Sequence, residues 1–226
     1  MTTCNFRFPS GSTHLLVGPS GSGKTYRTAQ ILRLKNEIIT NGQDIKNVVF
    51  CYASWQPLYD ELQKDGVVTQ WCNKMPTVAD FNRLVEEHTH TGGSIMVIDD
   101  FMSAISPDLD EIVRVTSRHC NTTTFILFQN LFPAHKLARQ ISLNVKFLHI
   151  HKNPRENSQI MYLARQLCPD SYKWIVDVFH EVTKEPFSCL LIDLTQERAP
   201  QLRYRSNYLP YEFPMKLWHE KGVILV

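Results

Sequence analysis

The stretch THLLVGPSGSGKT, residues 13–25, decides the fold. A run that suits a buried strand passes straight into a glycine- and serine-rich turn, which stops at a lysine and a threonine. Gly18-Pro19-Ser20-Gly21-Ser22-Gly23-Lys24-Thr25 satisfies the pattern G-x-x-x-x-G-K-[ST] in full, between an apolar strand and a helix. Glycines let successive backbone N–H groups curl around a phosphate, and the helix that follows adds the positive end of its dipole. Lys24 is expected to reach the β and γ phosphates of a nucleotide, and Thr25 to hold Mg²⁺ through its hydroxyl.

A magnesium ion on a nucleotide needs a second protein support, and SIMVIDD (94–100) offers one: an apolar strand that ends in two acids. Asp99 is expected to enter the metal shell, while Asp100 turns toward the γ phosphate and polarises a water. A second acid suggests ATP hydrolysis rather than transfer to a metabolite, because hydrolysis needs a base beside water. The run TTFILFQN (123–130) ends in Gln129 and Asn130, polar groups at the carboxyl end of a strand, where ligands of open α/β sheets bind. Gln129 is the expected γ-phosphate sensor.

Further strand-like runs at 47–53 and 145–151 alternate with helical patterns, the signature of βα units and a mostly parallel sheet. Residues 24–40 read as a helix stopped by Asn41-Gly42, which suits a left-handed cap. Ser106-Pro107-Asp108 and Asn153-Pro154 read as helix starts, the second helix running to about Leu167 before Cys168-Pro169. Another, 171–183, places Trp174, Ile175, Val178, Phe179 and Val182 on one stripe. FSCLLIDL (187–194) reads as a sixth, edge strand, and residues 198–218 as an extended tail without period; the stretch 55–76 is the least legible. The expected architecture is an α/β P-loop NTPase with a mostly parallel five- to six-stranded sheet flanked by helices, in the additional-strand, RecA-like arrangement. Its parts are an N-terminal arm (1–11), the ATPase domain (12–194) and a C-terminal extension (195–226) that packs on the domain or on a neighbouring subunit.

Length and composition agree with one soluble domain: 226 residues, 43% hydrophobic and 20% charged. No apolar run approaches the roughly 18 residues of a membrane helix and no secretory leader is evident, so an intracellular location is expected. The six cysteines include no CxxC pair, which argues against a zinc ribbon or a disulfide framework. His149 and His151 share a strand face, but no cysteine or acid completes a metal set, so a packed or surface pair is expected rather than a ligand pair. His88 and His90 read as the frayed end of a helix. The aromatic residues Tyr204, Tyr208, Tyr211, Phe213 and Trp218 of the tail suit an interface better than base stacking. The net charge of +2 hides a basic block: residues 114–168 hold eight Lys/Arg against the single acid Glu156. That segment is a candidate face for an anionic partner.

Taken together, GPSGSGKT, IMVIDD, the strand ending in FQN and the block LFPAHKLARQISLNVKFLHIHKNPRENSQIMYLARQLCP (131–169) resemble the FtsK/HerA-type genome-packaging ATPases of large and mid-sized DNA viruses. The poxvirus-like branch, and within it the ATPases of adintoviruses and polinton elements, is the nearest likeness; it covers residues 12–169. The resemblance implies a homo-oligomeric ring at a capsid or portal vertex that uses ATP to pull double-stranded DNA into a preformed shell, inside the infected host cell or associated with the virion. Such rings place nucleotide between subunits, so a neighbour supplies an arginine to the γ phosphate. Arg139, then Arg118, are the favoured residues, with Arg155 a further candidate. The resemblance also gives the basic block a reading. Lys136, Lys146, Lys152 and Arg165 become candidates to face a DNA channel through sequence-independent phosphate contacts. One departure stands out: Asp100 occupies a position where glutamate is frequent, and its shorter side chain requires the water to sit closer.

Two other activities fit a P-loop chain of this length. A nucleoside or nucleotide kinase would require an acceptor and ignore DNA, whereas a nucleotide-gated DNA-binding or assembly module would bind ATP without releasing phosphate.

Overall fold

A computed structural model describes residues 6–132, 136–155, 157–199, 202–212 and 214–226. Cys4, Glu156 and Phe213, with the first residues of the N-terminal arm, lie outside the described residues. Six strands run parallel: β1 (Thr13–Val17), β2 (Asn47–Tyr52), β3 (Gln70–Cys72), β4 (Ser94–Asp99), β5 (Thr122–Phe128) and β6 (Phe147–His151). Four more, β7 (Cys189–Asp193), β8 (Tyr204–Ser206), β9 (Lys216–His219) and β10 (Gly222–Leu225), continue the sheet antiparallel. The order is β10-β9-β8-β7-β6-β1-β5-β4-β2-β3. One strand, β5, therefore stands between β1, which leads into the glycine-rich turn, and β4, which carries the paired acids; this is the additional-strand arrangement.

The central strands read as nearly unbroken apolar runs because helices cover both faces. Every residue of β1, β4, β5 and β6 is buried. Alternate side chains feed two separate cores. Leu15, Val17, Met96, Ile98, Ile126 and Phe128 meet α4 (Val78–Val85), α7 (Lys136–Asn144), α8 (Asn157–Leu167) and α9 (Tyr172–Val182). On the other face Leu16, Val48, Phe50, Ile95, Val97 and Phe125 pack with α1 (Lys24–Arg33), α2 (Lys35–Ile38), α3 (Pro57–Lys64) and the C-terminal residues Tyr208, Leu209 and Leu217. Each such side chain contributes about 1.5–3 kcal/mol of burial. Between β4 and β5, α5 (Pro107–Glu111) passes through a π-helical turn (Ile112–Thr116) into α6 (Ser117–His119).

Several boundaries differ from the sequence reading. The helix expected over 24–40 breaks at Leu34, though Asn41 does adopt the left-handed conformation (φ 58°). Asn153 and Pro154 form a turn, with Arg155 N donating to Asn153 Oδ1 at 3.1 Å, and α8 starts only at Asn157. The stretch 55–76 supplies α3 and β3. The strand expected over 187–194 exists but is interior, because β8, β9 and β10 extend the sheet beyond it; among the described residues the sheet has ten strands where five to six were expected.

The C-terminal strands are anchored to this domain by buried charge. Arg205 Nη1 meets Asp193 Oδ2 at 3.1 Å with both side chains buried, and Arg27 Nη1 on α1 meets Glu212 Oε1 at 2.6 Å. A chain of polar side chains runs under the sheet from Ser12 to Tyr208, and its direction follows from one end. The Ser12 hydroxyl donates to Pro9 O (2.6 Å), so it accepts from His14 Nε2 (2.8 Å). His14 Nδ1 must then accept from His149 Nε2 (3.1 Å), and His149 Nδ1 from the Tyr208 hydroxyl (2.8 Å). Both imidazoles are satisfied only as neutral rings. His149 and His151 are both buried.

Candidate functional site

The turn between β1 and α1 crosses the carboxyl edge of the parallel strands. Gly18 N donates to Phe128 O at 3.2 Å, tying the turn to β5. A side chain at Gly18 would meet Ser22 Oγ at 2.6 Å and His151 Cβ at 2.8 Å, so only glycine fits there. α1 opens with no acid in its first turn and no side-chain cap, which leaves its first N–H groups and its positive end directed at the cleft. Lys24 Nζ folds back and donates to Gly18 O (2.6 Å) and Pro19 O (3.0 Å). Burial lowers the Lys24 pKa, and the nearby Asp99 and Asp100 partly restore it.

Asp99, the last residue of β4, is buried and accepts from Thr25 Oγ1 at 3.0 Å and from the Tyr59 hydroxyl at 2.8 Å, both on Oδ2. Burial raises the Asp99 carboxyl above its ordinary value, opposed by those two donors and by Lys24. Asp100 leaves the strand with φ 63°, which swings its carboxylate out to accept from Gln129 Nε2 at 3.0 Å. Asp tolerates this left-handed conformation better than most residues. Lys24, Thr25, Asp99, Asp100 and Gln129 therefore share one cleft of 530 Å³, whose lining also includes Ser20, Gly21, Tyr26, Gln56 and Phe187. Thr25 and Asp99 present hard oxygen donors to it, the kind that suits Mg²⁺ with waters and phosphate oxygens completing the shell. Among the described residues no three His, Cys, Asp or Glu side chains gather as a metal set.

The other sequence-derived candidates do not converge on this cleft. Arg118 is exposed in α6 at the edge where the parallel strands begin, opposite the glycine-rich turn. Arg139 is exposed on α7, and Arg155 is exposed after β6. Of the basic residues, Lys136 opens α7, while Lys146 N donates to Thr13 O (3.0 Å) at the far edge of the sheet. Arg165 lies over the Tyr172 ring at 4.7 Å. Lys152 lines a second opening beside the glycine-rich turn, with Pro19, Ser20, Gly21 and Ser22. These four basic groups are spread over both edges of the sheet.

Sequence reasoning missed Tyr59, the second donor to Asp99. The spacing of Pro57, Tyr59 and Leu62, a first-turn proline followed by two residues that α3 buries, is the signal that would have found it. Directly behind the turn, Ser22 Oγ and both His151 ring nitrogens are buried with no well-formed hydrogen bond among the described residues.

No family model and no curated protein matches the chain. Among solved structures it is similar to the genome-packaging NTPase B204 of Sulfolobus turreted icosahedral virus 2 in complex with ATP-gammaS (TM-score 0.52, 14% identity, 83% of this chain and 94% of that one). The DNA-packaging ATPase B204 of Sulfolobus turreted icosahedral virus superposes with TM-score 0.52 at 12% identity, over 83% of this chain and 95% of that one. A KaiC-like protein of Pyrococcus horikoshii OT3 reaches TM-score 0.50 at 13% identity, over all of this chain (100%) and 98% of its own. At such identities the likeness is one of fold, and that fold is the P-loop NTPase, an α/β domain whose mostly parallel sheet is extended by antiparallel strands.

Proposed function

We propose that the chain is an ATP-hydrolysing translocase of double-stranded DNA that packages a viral genome, acting as a homo-oligomeric ring of the FtsK/HerA type with active sites completed between subunits. The observation that carries this reading is the pairing of acids at the head of the cleft. Asp99 is buried against Thr25, and Asp100 is turned out onto Gln129. This geometry supports a division of labour suited to hydrolysis, with Asp99 at a metal position and Asp100 at a water-exposed one. The likeness to the two viral packaging NTPases supports the same reading.

In this account Lys24 exchanges its two carbonyl acceptors for β- and γ-phosphate oxygens. Thr25 and Asp99 would hold Mg²⁺, which would supply charge neutralisation to the phosphates. Gln129 senses the γ phosphate, and Asp100 polarises the attacking water and accepts its proton. Arg139 or Arg118 is offered to a neighbour's γ phosphate; Arg118, on the far edge of the sheet, serves only in trans. Lys136, Lys146, Lys152 and Arg165 contact DNA phosphates, and capsid or portal-vertex proteins are the partners in the infected cell. No helix among the described residues is long and apolar enough to cross a membrane.

The test is phosphate release from ATP at low salt, with and without linear double-stranded DNA, over a range of protein concentrations. The proposal expects DNA to raise the rate, the rate per subunit to climb with concentration, and Asp100→Asn to lower turnover by about 10²–10⁴-fold. Turnover indifferent to both DNA and concentration refutes it and directs attention to a kinase with a nucleoside acceptor.

A further inference from the structure

Phe187 is a large aromatic side chain in a place that folding alone does not explain. It is 61% exposed, yet its backbone is held at φ 63°, a conformation costly for an aromatic residue. The turn that carries it is pinned on both sides. The Ser188 hydroxyl, with one proton to donate, lies within hydrogen-bond distance of both Val182 O (2.7 Å) and Glu185 O (2.6 Å), and Pro186 precedes Phe187. Strain that the surroundings hold in place, on a ring that the core leaves unburied, points to a ligand.

The position says which part of the ligand. Cys189, two residues on, pairs with His151 at the carboxyl end of β6, so Phe187 stands on the same edge of the sheet as the glycine-rich turn. In the sheet order β7 and β6 lie on one side of β1, and β5 and β4 on the other. The cleft is therefore approached from opposite sides, by the acids and Gln129 from β4 and β5 and by Phe187 from the β7 side. The ring bears directly on the turn: a Cβ at Gly23 would lie 3.2 Å from Phe187 Cδ1. Tyr26, half exposed, lines the cleft beside Thr25.

We infer that Phe187 is the stacking platform for the purine base of the nucleotide, and that Tyr26 forms a second apolar wall beside it. With the terminal phosphates drawn toward Asp99, Asp100 and Gln129, the base is left on the β7 side, where the phenyl face is open. The inference rests on the reading of this cleft as an ATP site. Phenylalanine carries no hydrogen-bonding group, so the platform reads the π-face of a base and not its edge, which leaves ATP and GTP nearly equal as ligands.

The test compares ATP with inorganic tripolyphosphate, each with Mg²⁺, binding to the full chain by calorimetry. Wild type should bind ATP more tightly than tripolyphosphate. Phe187→Ala and Phe187→Gly should each weaken ATP by about tenfold while leaving tripolyphosphate within about twofold, since base–aromatic stacking acts on the base alone. Phe187→Trp should retain ATP affinity and gain fluorescence quenching, beyond that of wild type, on adding ATP but not tripolyphosphate. The platform is overturned if ATP affinity is unchanged in the Ala and Gly variants, or if ATP and tripolyphosphate weaken together. A wild-type chain that binds tripolyphosphate as well as ATP overturns the platform and leaves the phosphate loop standing; one that binds neither overturns both.

Discussion

Lowering the pH from about 7.5 to about 5.5 should destabilise the fold by about 4 kcal/mol through three buried imidazoles. His14, His149 and His151 are each at most 2% exposed. Burial, helped by the charge of Lys146, holds His14 down to about 3; burial and the charges of Arg27 and Lys24 hold His151 to about 3. His149 is held well below its usual value by burial and by His14 beside it. In the unfolded chain all three titrate near 6.5. Their native pKa values are depressed, so the unfolded state takes up protons first: the stability is fully present above about 6.5 and is lost as the pH falls toward about 3. At one unit below the unfolded pKa each imidazole contributes about 1.4 kcal/mol to the unfolded state, and three contribute about 4 kcal/mol. Urea unfolding at several pH values measures the slope, which should approach three protons per unfolding event. Asp99, whose carboxyl burial raises, pulls the other way at the acid end, so the cleaner number is a difference between variants. His151→Asn should remove about 1.4 kcal/mol of the pH dependence. A slope below one proton, or a His151→Asn chain with the full pH dependence, refutes the reasoning.

Asp99→Asn should raise the melting temperature of the nucleotide-free protein near neutral pH and abolish Mg²⁺-dependent ATP turnover. The buried carboxyl has its pKa raised, so its ionised form opposes folding above the ordinary carboxylate range; thermal melts with and without ATP check both halves. Tyr59→Phe removes a donor from that buried carboxylate and should cost about 2 kcal/mol in urea unfolding. Cys72, directly opposite Cys51 in the β2–β3 register, is lowered to about 6 chiefly by the hydrogen bond from Cys51, while Cys51 is pushed up. Brief iodoacetamide treatment near neutral pH should therefore label Cys72 before Cys51, Cys120, Cys168 and Cys189, as read by peptide mass mapping.

The parts of the fold legible in the sequence are those governed by short-range pattern. β1, β4, β5 and β6 are mostly apolar, fully buried runs, and residues at or just past the carboxyl ends of β1, β4 and β5 are the ones that meet in the cleft. Thr25 with Asp99, and Asp100 with Gln129, come together because parallel strands deliver their ends to one edge. What stayed hidden depends on long-range contact. The strands after residue 195 have no apolar period, because β8 is short and holds Arg205 for the buried Asp193, while β10 is exposed along its length. Tyr59 approaches Asp99 across forty residues of chain, and Phe187 is recognisable only by its φ and its contact with Gly23. The basic block reads as one feature in the sequence, but the sheet separates Lys146 from Lys152 by the length of β6.

The central claim is movement along duplex DNA driven by the Lys24 cleft, and the most direct measurement is displacement of a third-strand oligonucleotide from a linear duplex. The account predicts that wild-type protein with ATP and Mg²⁺ strips the third strand, that ATP-gammaS does not support this, and that Lys24→Ala and Asp100→Asn are inactive. A third strand that stays bound while wild-type protein hydrolyses ATP on the same DNA would contradict translocation.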